Sequence, residues 1–167
     1  KSRNDAFSIA AANSLLKEMR LLLDDGVDVD GIASYSKSTP LATAAGYGFI
    51  RSVNFLLDNG ANIDLPGAND MTPLMHACSC GKTKGSRVAL RLIEANADVR
   101  DVRKSDDMTA LMIAARANYV DALEVLVQNG ADVSIPCKLP WAENRTAHGL
   151  AELENCKKAA AYLATLP

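Results

Sequence analysis

The sequence predicts an all-α solenoid in which pairs of helices stack in a row. One motif opens three successive segments of the chain: TPLATAA at 39–45, TPLMHAC at 72–78 and TALMIAA at 109–115. A second motif follows each copy at a steady distance: NGANID at 59–64, ANADV at 95–99 and NGADV at 129–133. A period of about 33 residues is typical of stacked repeats, which expose a long surface instead of enclosing a pocket.

The predicted helices carry residues that suit helix ends. A threonine precedes each apolar run as an N-cap, at Thr39, Thr72, Thr109 and Thr146. Two of these helices then have proline at their first position, Pro40 and Pro73. Glycine or asparagine, which adopt positive φ most readily, ends the first helix of a unit at Gly48, Gly81, Asn118 and Asn155. The same residue types end the second helix at Gly26, Gly60, Asn96 and Gly130.

Together, the Thr-Pro-Leu motif and the Gly-Ala-Asp motif about twenty residues later resemble the ankyrin repeat family. The resemblance covers nearly the whole chain and implies helix-turn-helix units joined by β-hairpin fingers. Five units are expected, at about 2–34, 35–67, 68–104, 105–141 and 142–167. The first and last are degenerate caps, as terminal units of a solenoid usually are. In the first unit, Asp5 stands in the place of the capping threonine.

Composition narrows the classes of function. The 167 residues carry a net charge of −2, so a basic surface for nucleic acid is not expected. The chain has no apolar run of about 18 residues, so no membrane span is expected. Its four cysteines form neither a CxxC pair nor a disulfide framework, which favours the cytoplasm. The bacterial periplasm is the alternative if a signal peptide was removed before Lys1.

The repeat period is broken twice. Two intervals between capping threonines span 37 residues, against 33 for the interval before them. Most of the first excess lies in the basic segment 81–87, which we interpret as a flexible loop gained by drift. The second excess lies at 134–144 and contains the only tryptophan of the chain. Its 135–141 portion is either a binding loop or further drift.

The sequence predicts neither a catalytic nor a metal-binding arrangement. The two histidines, His76 and His148, lie two units apart, so a nucleophile with a histidine base is not expected. His148 aligns with leucines of the other units, which implies a partly buried, hydrogen-bonded ring. His76 and Cys80 share a helical face, but two ligands do not make a zinc site. The chain is therefore predicted to be non-enzymatic and to need no cofactor.

The resemblance implies a scaffold that binds another protein through its concave face, formed by the finger tips and the exposed sides of the first helices. The candidate contacts are Tyr35, Lys37, Tyr47, Asn69, Asp70, Met71, Arg103, Asp106, Asp107, Met108, Arg116, Tyr119, Leu139, Trp141, Glu143 and Arg145. Tyr47, Tyr119 and Trp141 are the expected anchors. The free chain is expected to be a monomer. The alternative is a stand-alone inhibitor that blocks a partner enzyme, such as a secreted bacterial hydrolase, with the 135–141 loop.

Overall fold

Ten α-helices form five consecutive pairs in the computed structural model, which describes residues 2–80 and 82–166. The first helix of each pair, here called the inner helix, is α1 Arg3–Ala11, α3 Pro40–Gly46, α5 Pro73–Ser79, α7 Ala110–Arg116 or α9 Ala147–Leu153. The second, the outer helix, is α2 Leu16–Asp24, α4 Ile50–Asp58, α6 Lys82–Glu94, α8 Val120–Gln128 or α10 Lys157–Leu163. The prediction of an all-α stack of helix pairs is confirmed.

The core runs through the stack because one position repeats in successive units. Inner helices pack on inner helices and outer helices on outer helices, unit by unit. Leu41, Leu74 and Leu111, two residues after the capping threonines, are 0%, 1% and 1% exposed. Phe7 holds the equivalent place in the first unit and is fully buried. Each unit therefore completes the core of its neighbours, as expected for a solenoid.

Side-chain caps start four of the five inner helices. The hydroxyls of Thr39, Thr72 and Thr109 accept hydrogen bonds from the backbone N–H three residues on, at 3.1, 3.3 and 3.2 Å. Thr146 occupies the same N-cap position without such a bond. In the first unit the predicted cap, Asp5, is wrong. Ser2 is the N-cap instead, and Asp5 completes a reciprocal capping box with it because the helix begins three residues earlier.

Residues with positive φ follow the helices at the positions that the Gly and Asn pattern predicts. After the outer helices, φ is 81° at Gly26, 82° at Gly60, 68° at Asn96 and 86° at Gly130. After the inner helices, it is 72° at Gly48, 58° at Asn118 and 57° at Asn155. Gly81 lies outside the described residues. The first unit has Ser14 at this position, with φ 56°, which the sequence pattern did not indicate.

Short turns form the fingers instead of extended β-hairpins. Within the described ranges, the pairing of Val102 with Thr109 is an isolated antiparallel bridge. The fingers are closed by individual backbone bonds, such as Gly67 N–H to the Met71 carbonyl at 2.8 Å. Carboxylates then join one finger to the next: an Asp30 oxygen accepts from the Asn62 N–H at 3.0 Å, and an Asp64 oxygen accepts from the Asp98 N–H at 3.0 Å.

The predicted loop at 81–87 is wrong over its described part, because residues 82–87 belong to α6. This helix has 13 residues, against nine in α4 and in α8. Four additional residues make about one helical turn, so the buried face of the helix continues almost in phase. Gly85 permits the close packing of this turn, since a Cβ there would lie 2.5 Å from the Ala77 carbonyl oxygen.

Leu74→Ala is expected to lower the free energy of unfolding by about 2–5 kcal/mol, because it opens a cavity in the middle of the stack. Leu21→Ala is the matched control, since the same change at a side chain that is 68% exposed should cost under about 0.5 kcal/mol. Urea denaturation followed by circular dichroism measures both values. Equal losses at the two sites would contradict the packing described for α5.

Ser14→Gly is expected to raise the free energy of unfolding by about 1 kcal/mol, because glycine adopts positive φ without the steric cost of a Cβ. Ser14→Ala retains the Cβ and should bring no gain. Thermal denaturation of the two variants beside the unmodified chain measures the difference. A similar gain in both would show that backbone conformation at this turn is not the cause.

Ser34→Ala is expected to be less stable than the unmodified chain at pH 7, and the difference should shrink as the pH falls from about 4 to about 2. The Ser34 hydroxyl, 2.8 and 2.9 Å from the two oxygens of Asp5, is the main cause that lowers the pKa of Asp5 to about 2. The ordinary pKa of an aspartate is about 3.9. A carboxylate with a lowered pKa stabilises the fold above the unfolded-state value and loses that contribution on acidification. A pH-independent difference in unfolding midpoints would refute this role.

Candidate functional site

The candidate contacts lie mainly on the surface formed by the fingers and the inner helices, here called the inner face. They form two groups on it. One surrounds Tyr35 and Tyr47 in the first half of the stack. The other surrounds Trp141 in the second half. Both tyrosines and the tryptophan are well exposed, at 56%, 60% and 49%.

Tyr35 and Tyr47 line a recess of about 260 Å³ between α3 and α5. We call it the tyrosine recess, and its other polar lining residues are Ser36, Ser38, Thr43, His76 and Ser79. The Tyr35 hydroxyl donates to the Ser8 hydroxyl oxygen at 3.3 Å. The Tyr47 ring stacks on Phe49 with their centroids 6.2 Å apart. Neighbouring residues therefore hold both rings while leaving much of their surface open.

Sequence analysis singled out the two tyrosines but not the serines, Thr43 and the role of His76 in this recess. These residues come from a finger and from two successive inner helices. No local motif joins them, and the only signal in the chain is the fixed period that places α3 beside α5. Burial is the main cause that lowers the pKa of His76, and a backbone hydrogen bond with Ala68 acts in the opposite direction.

The finger between the second and third units carries Asn69, Asp70 and Met71. Asn69 and Asp70 both have φ of 57°. Asn69 is exposed, whereas Asp70 accepts a hydrogen bond from the Lys104 N–H at 3.1 Å. Met71 packs against the core. Of these three candidates, Asn69 therefore presents the most open side chain, and Asp70 links its finger to the next one.

Arg103 and Asp106 form an ion pair within the next finger. Nε of Arg103 donates to Oδ1 of Asp106 at 2.7 Å, and Nη2 contacts Oδ2. The two side chains are 17% and 12% exposed. Hydrogen bonding from the Arg103 guanidinium is the main cause that lowers the pKa of Asp106. Met108, expected on the surface, is 1% exposed: its N–H donates to Asp106 at 3.2 Å, and its side chain lies in the core.

Arg116 and Trp141 meet at the end of α7, although 25 positions separate them in the sequence. The Arg116 guanidinium carbon lies 5.1 Å from the centre of the Trp141 ring, in the range of a cation–π contact. Nη2 and Nε of Arg116 also contact Oε1 of Glu154, at 2.9 and 3.2 Å. Glu154 was not a sequence candidate. Arg116 thus contacts both Trp141 and Glu154.

The inserted 134–144 segment is held against the stack. Cys137 is fully buried, and its N–H donates to the Arg145 carbonyl at 3.0 Å. The Lys138 N–H donates to the Asp106 carbonyl at 2.7 Å, and Nζ of Lys138 lies 2.9 Å from Oδ2 of Asp107. A backbone hydrogen bond and an ion pair thus hold the segment against the preceding finger.

Three further candidates surround Trp141 in this segment. Leu139 packs against the core and is half-buried. Glu143 is exposed, with φ 48°, and the Arg145 side chain is half-buried. Lys37, in the first finger, is likewise exposed with φ 53°. Lys37 and Glu143 thus both lie exposed at tight turns.

Tyr119 lies apart from the other anchors, contrary to expectation. It is the N-cap of α8 and lines a groove with Ser86, Asp121 and Lys158 at the helix–helix turns. The left-handed residue Asn118 has already reversed the chain before Tyr119, which separates it from the fingers. Sequence proximity to Arg116 was therefore a poor guide to its position.

Within the part of the chain that the structure describes, the remaining titratable residues form no catalytic group. Burial raises the pKa of the Cys78 thiol to about 12, so it is not a nucleophile at pH 7. The His148 ring is half-buried, as expected, and its Nε2 lies 3.9 Å from Oε1 of Glu152, beyond hydrogen-bond distance. Across residues 2–80 and 82–166, no three metal-binding side chains cluster. No helix there combines the length and apolar character needed to cross a membrane.

Two family models match the chain. The model described as "Ankyrin repeats (3 copies)" matches residues 64–137, and the one described as "Ankyrin repeat" matches residues 36–68. The matched ranges contain the second, third and fourth inner helices with their fingers. They include both TPL motifs and the buried leucine that follows each capping threonine there.

Similar curated proteins carry ankyrin repeats by name. The chain is 28% identical to Ankyrin repeat and KH domain-containing protein mask-1 from Caenorhabditis elegans, over 84% of the chain and 5% of that protein. It is 33% identical to Ankyrin repeat, SAM and basic leucine zipper domain-containing protein 1 from Dasypus novemcinctus, over 79% of the chain and 28% of that protein. The chain thus spans a small part of the relatives it matches. Repeats, stacking and matches agree, and the chain belongs to the ankyrin repeat family.

Proposed function

We propose that this chain is a non-enzymatic module that binds another protein through its inner face. The observation that carries the proposal is the presence of two exposed aromatic anchor points on that face, at the tyrosine recess and at Trp141. Aromatic side chains are enriched among residues that dominate binding energy. Ankyrin repeats in the relatives support the same class of function.

The candidate contacts divide by what their side chains do in the free chain. Exposed or half-buried members are proposed to touch the partner: Tyr35, Lys37, Tyr47, Asn69, Arg116, Trp141, Glu143 and Arg145. Members engaged within the fingers are proposed to position that surface: Asp70, Met71, Arg103, Asp106, Asp107 and Leu139. The charged members of this second group are already hydrogen-bonded or ion-paired within the chain. Binding affinity should therefore come mainly from the exposed aromatic residues.

An adaptor role is the form of this function that the relatives favour. Their names combine ankyrin repeats with a KH domain, or with SAM and basic leucine zipper regions. A recognition segment joined to such domains would bring its partner to them. The chain would contribute recognition, and its stack would hold the partner in a fixed direction.

A second mode of action is inhibition of a partner enzyme by the 135–141 loop. Trp141 projects from a segment that backbone bonds and the Lys138–Asp107 ion pair already fix. A pre-ordered loop loses little conformational entropy on binding, which suits insertion into another protein's cleft.

Photocrosslinking would test the proposed interface directly. A benzophenone amino acid placed at position 47 or 141 should capture the same partner from cells. The same probe at position 21, an exposed site on outer helix α2, is the control and should not capture it. The free chain should sediment as a monomer. Efficient capture of that partner from position 21 alone would refute the inner face as the binding surface.

Tyr47→Ala and Trp141→Ala are each expected to weaken binding of the captured, purified partner by about 2 kcal/mol or roughly thirtyfold in Kd. Leu21→Ala should leave Kd unchanged, and titration calorimetry measures all three. Unchanged Kd for Trp141→Ala would remove the 135–141 loop from the site. If the partner is an enzyme, loss of its activity with the unmodified chain and recovery with Trp141→Ala would favour inhibition over an adaptor role.

A further inference from the structure

The outer helices carry opposite charges at their two ends. The first turns of α2, α4, α6 and α10 each contain a basic residue, whereas α2, α4 and α6 end on the acidic residues Asp24, Asp58 and Glu94. The helix dipole favours the reverse arrangement, with acidic residues in the first turn and basic residues in the last. Helix stability therefore does not explain this distribution of charge.

The basic ends of the outer helices lie along one edge of the stack, at the turns that join inner to outer helices. Neighbouring ends are in contact: a Cβ on Gly48, just before α4, would lie 2.8 Å from Cβ of Lys84 in α6. Oδ1 of Asn118, just before α8, accepts a hydrogen bond from the Ala159 N–H of α10 at 3.0 Å. A groove lined by residues of α6, of the α7–α8 turn and of α10 connects these two contacts.

This basic edge is defined here by five exposed residues: Arg51, Lys84, Arg87, Lys157 and Lys158. None of the five forms an ion pair with any residue that the structure describes. The arginines of the inner face, in contrast, are paired with carboxylates. Unpaired charges of one sign along an edge create a local positive potential, although the chain as a whole has a net charge of −2.

The groove within the basic edge has a volume of about 530 Å³. Lys158 lines it, and so does Ser86, the residue directly before Arg87. The rest of its lining combines apolar and polar side chains from two units: Asn118, Tyr119, Val120, Asp121 and Ala161. Tyr119, which lies apart from the other aromatic candidates, thus belongs to this second surface.

Asp121 is the one carboxylate among the residues that line the groove. It stands in the first turn of α8, where the helix dipole favours a negative charge. Its position is therefore explained by the helix that carries it. The cations beside the groove have no such explanation, and they determine the sign of the charge that the edge attracts.

The surroundings of the groove specify its occupant. Unpaired basic side chains attract negative charge, and the apolar part of the lining favours an apolar side chain. A lipid surface is flat and would leave the groove empty. A second copy could offer the acidic ends of its own outer helices, but contact between two different edges does not close on itself and would build open filaments.

We propose that the basic edge binds an acidic, extended segment of a second protein, with an apolar side chain in the groove and carboxylates on Arg87 and Lys158. The turns that form this edge lie at the opposite end of the inner helices from the fingers. The inference therefore goes beyond the proposed function. It gives the chain a second recognition surface, through which one chain could hold two proteins at once.

Titration with short synthetic peptides would test the charge requirement. Acetyl-Glu-Glu-Leu-Glu-Glu-amide should shift the backbone amide NMR signals of Ser86, Tyr119 and Asp121 saturably in about 0.1 M salt, where screening limits charge effects to about 10 Å. The same peptide with glutamine or lysine in place of glutamate should not shift them. Binding of the acidic peptide should weaken as the salt concentration rises.

The double variant Arg87→Gln with Lys158→Gln is expected to weaken binding of the acidic peptide about fivefold, because it removes two exposed ion pairs. Arg100→Gln with Lys104→Gln is the matched control and should not change Kd. It removes the same charge from exposed residues of a finger, which follows the other end of α6. Both double variants should keep the unfolding temperature nearly unchanged, as surface substitutions usually do.

Equal shifts from the acidic and the glutamine peptides, or equal losses of binding in the two double variants, would overturn the proposal. So would tighter binding of phosphatidylserine vesicles or of an oligothymidylate than of the acidic peptide, or self-association that the acidic peptide disrupts. Trp141→Ala should leave peptide binding unchanged, and a loss there would place the peptide on the inner face instead. The proposed function is judged separately, by partner capture from positions 47 and 141.

Discussion

Burial between nearest neighbours is the constraint on which the whole structure depends. A helix pair has too little apolar surface of its own to enclose a core, so each unit relies on the units before and after it. Leu41, Leu74 and Leu111 are almost completely buried because the same position recurs along the stack. The fingers follow the same rule, since Asp30 and Asp64 each hold a backbone N–H of the next finger.

Stacking at a fixed period also decides where recognition can occur. The junction of the second and third units places a finger and two inner helices side by side, and the tyrosine recess forms there. Several charged side chains of the inner face form ion pairs within the chain, namely Arg103 with Asp106 and Arg116 with Glu154. What remains open on the inner face includes the aromatic residues Tyr35, Tyr47 and Trp141 and the charged residues Lys37 and Glu143. On such a surface the aromatic residues would supply most of the binding energy, and the charges would set orientation and association rate.

The parts of the fold predicted from sequence are those that local chemistry determines. Capping threonines and left-handed Gly or Asn residues act within a few positions, and they marked nearly all the helix ends correctly. The prediction of a loop at 82–87 was wrong because the extra residues lengthen outer helix α6. About one helical turn can be added to a helix without much rotation of its buried face. Ser2 was missed as a cap because the first unit begins its helix earlier than the repeat indicates.

The candidate site was harder to predict because exposure depends on how turns close. Met108 lies only two residues after Asp106, yet its side chain is buried in the core while the Asp106 carboxylate pairs with Arg103. The tyrosine recess has no sequence signature, since its polar residues meet only after two units have stacked. An unpaired hydroxyl such as that of Ser38 costs stability in the free chain. This hydroxyl is packed against the backbone of Gly67 in the following finger, a contact that the local sequence around Ser38 could not have indicated.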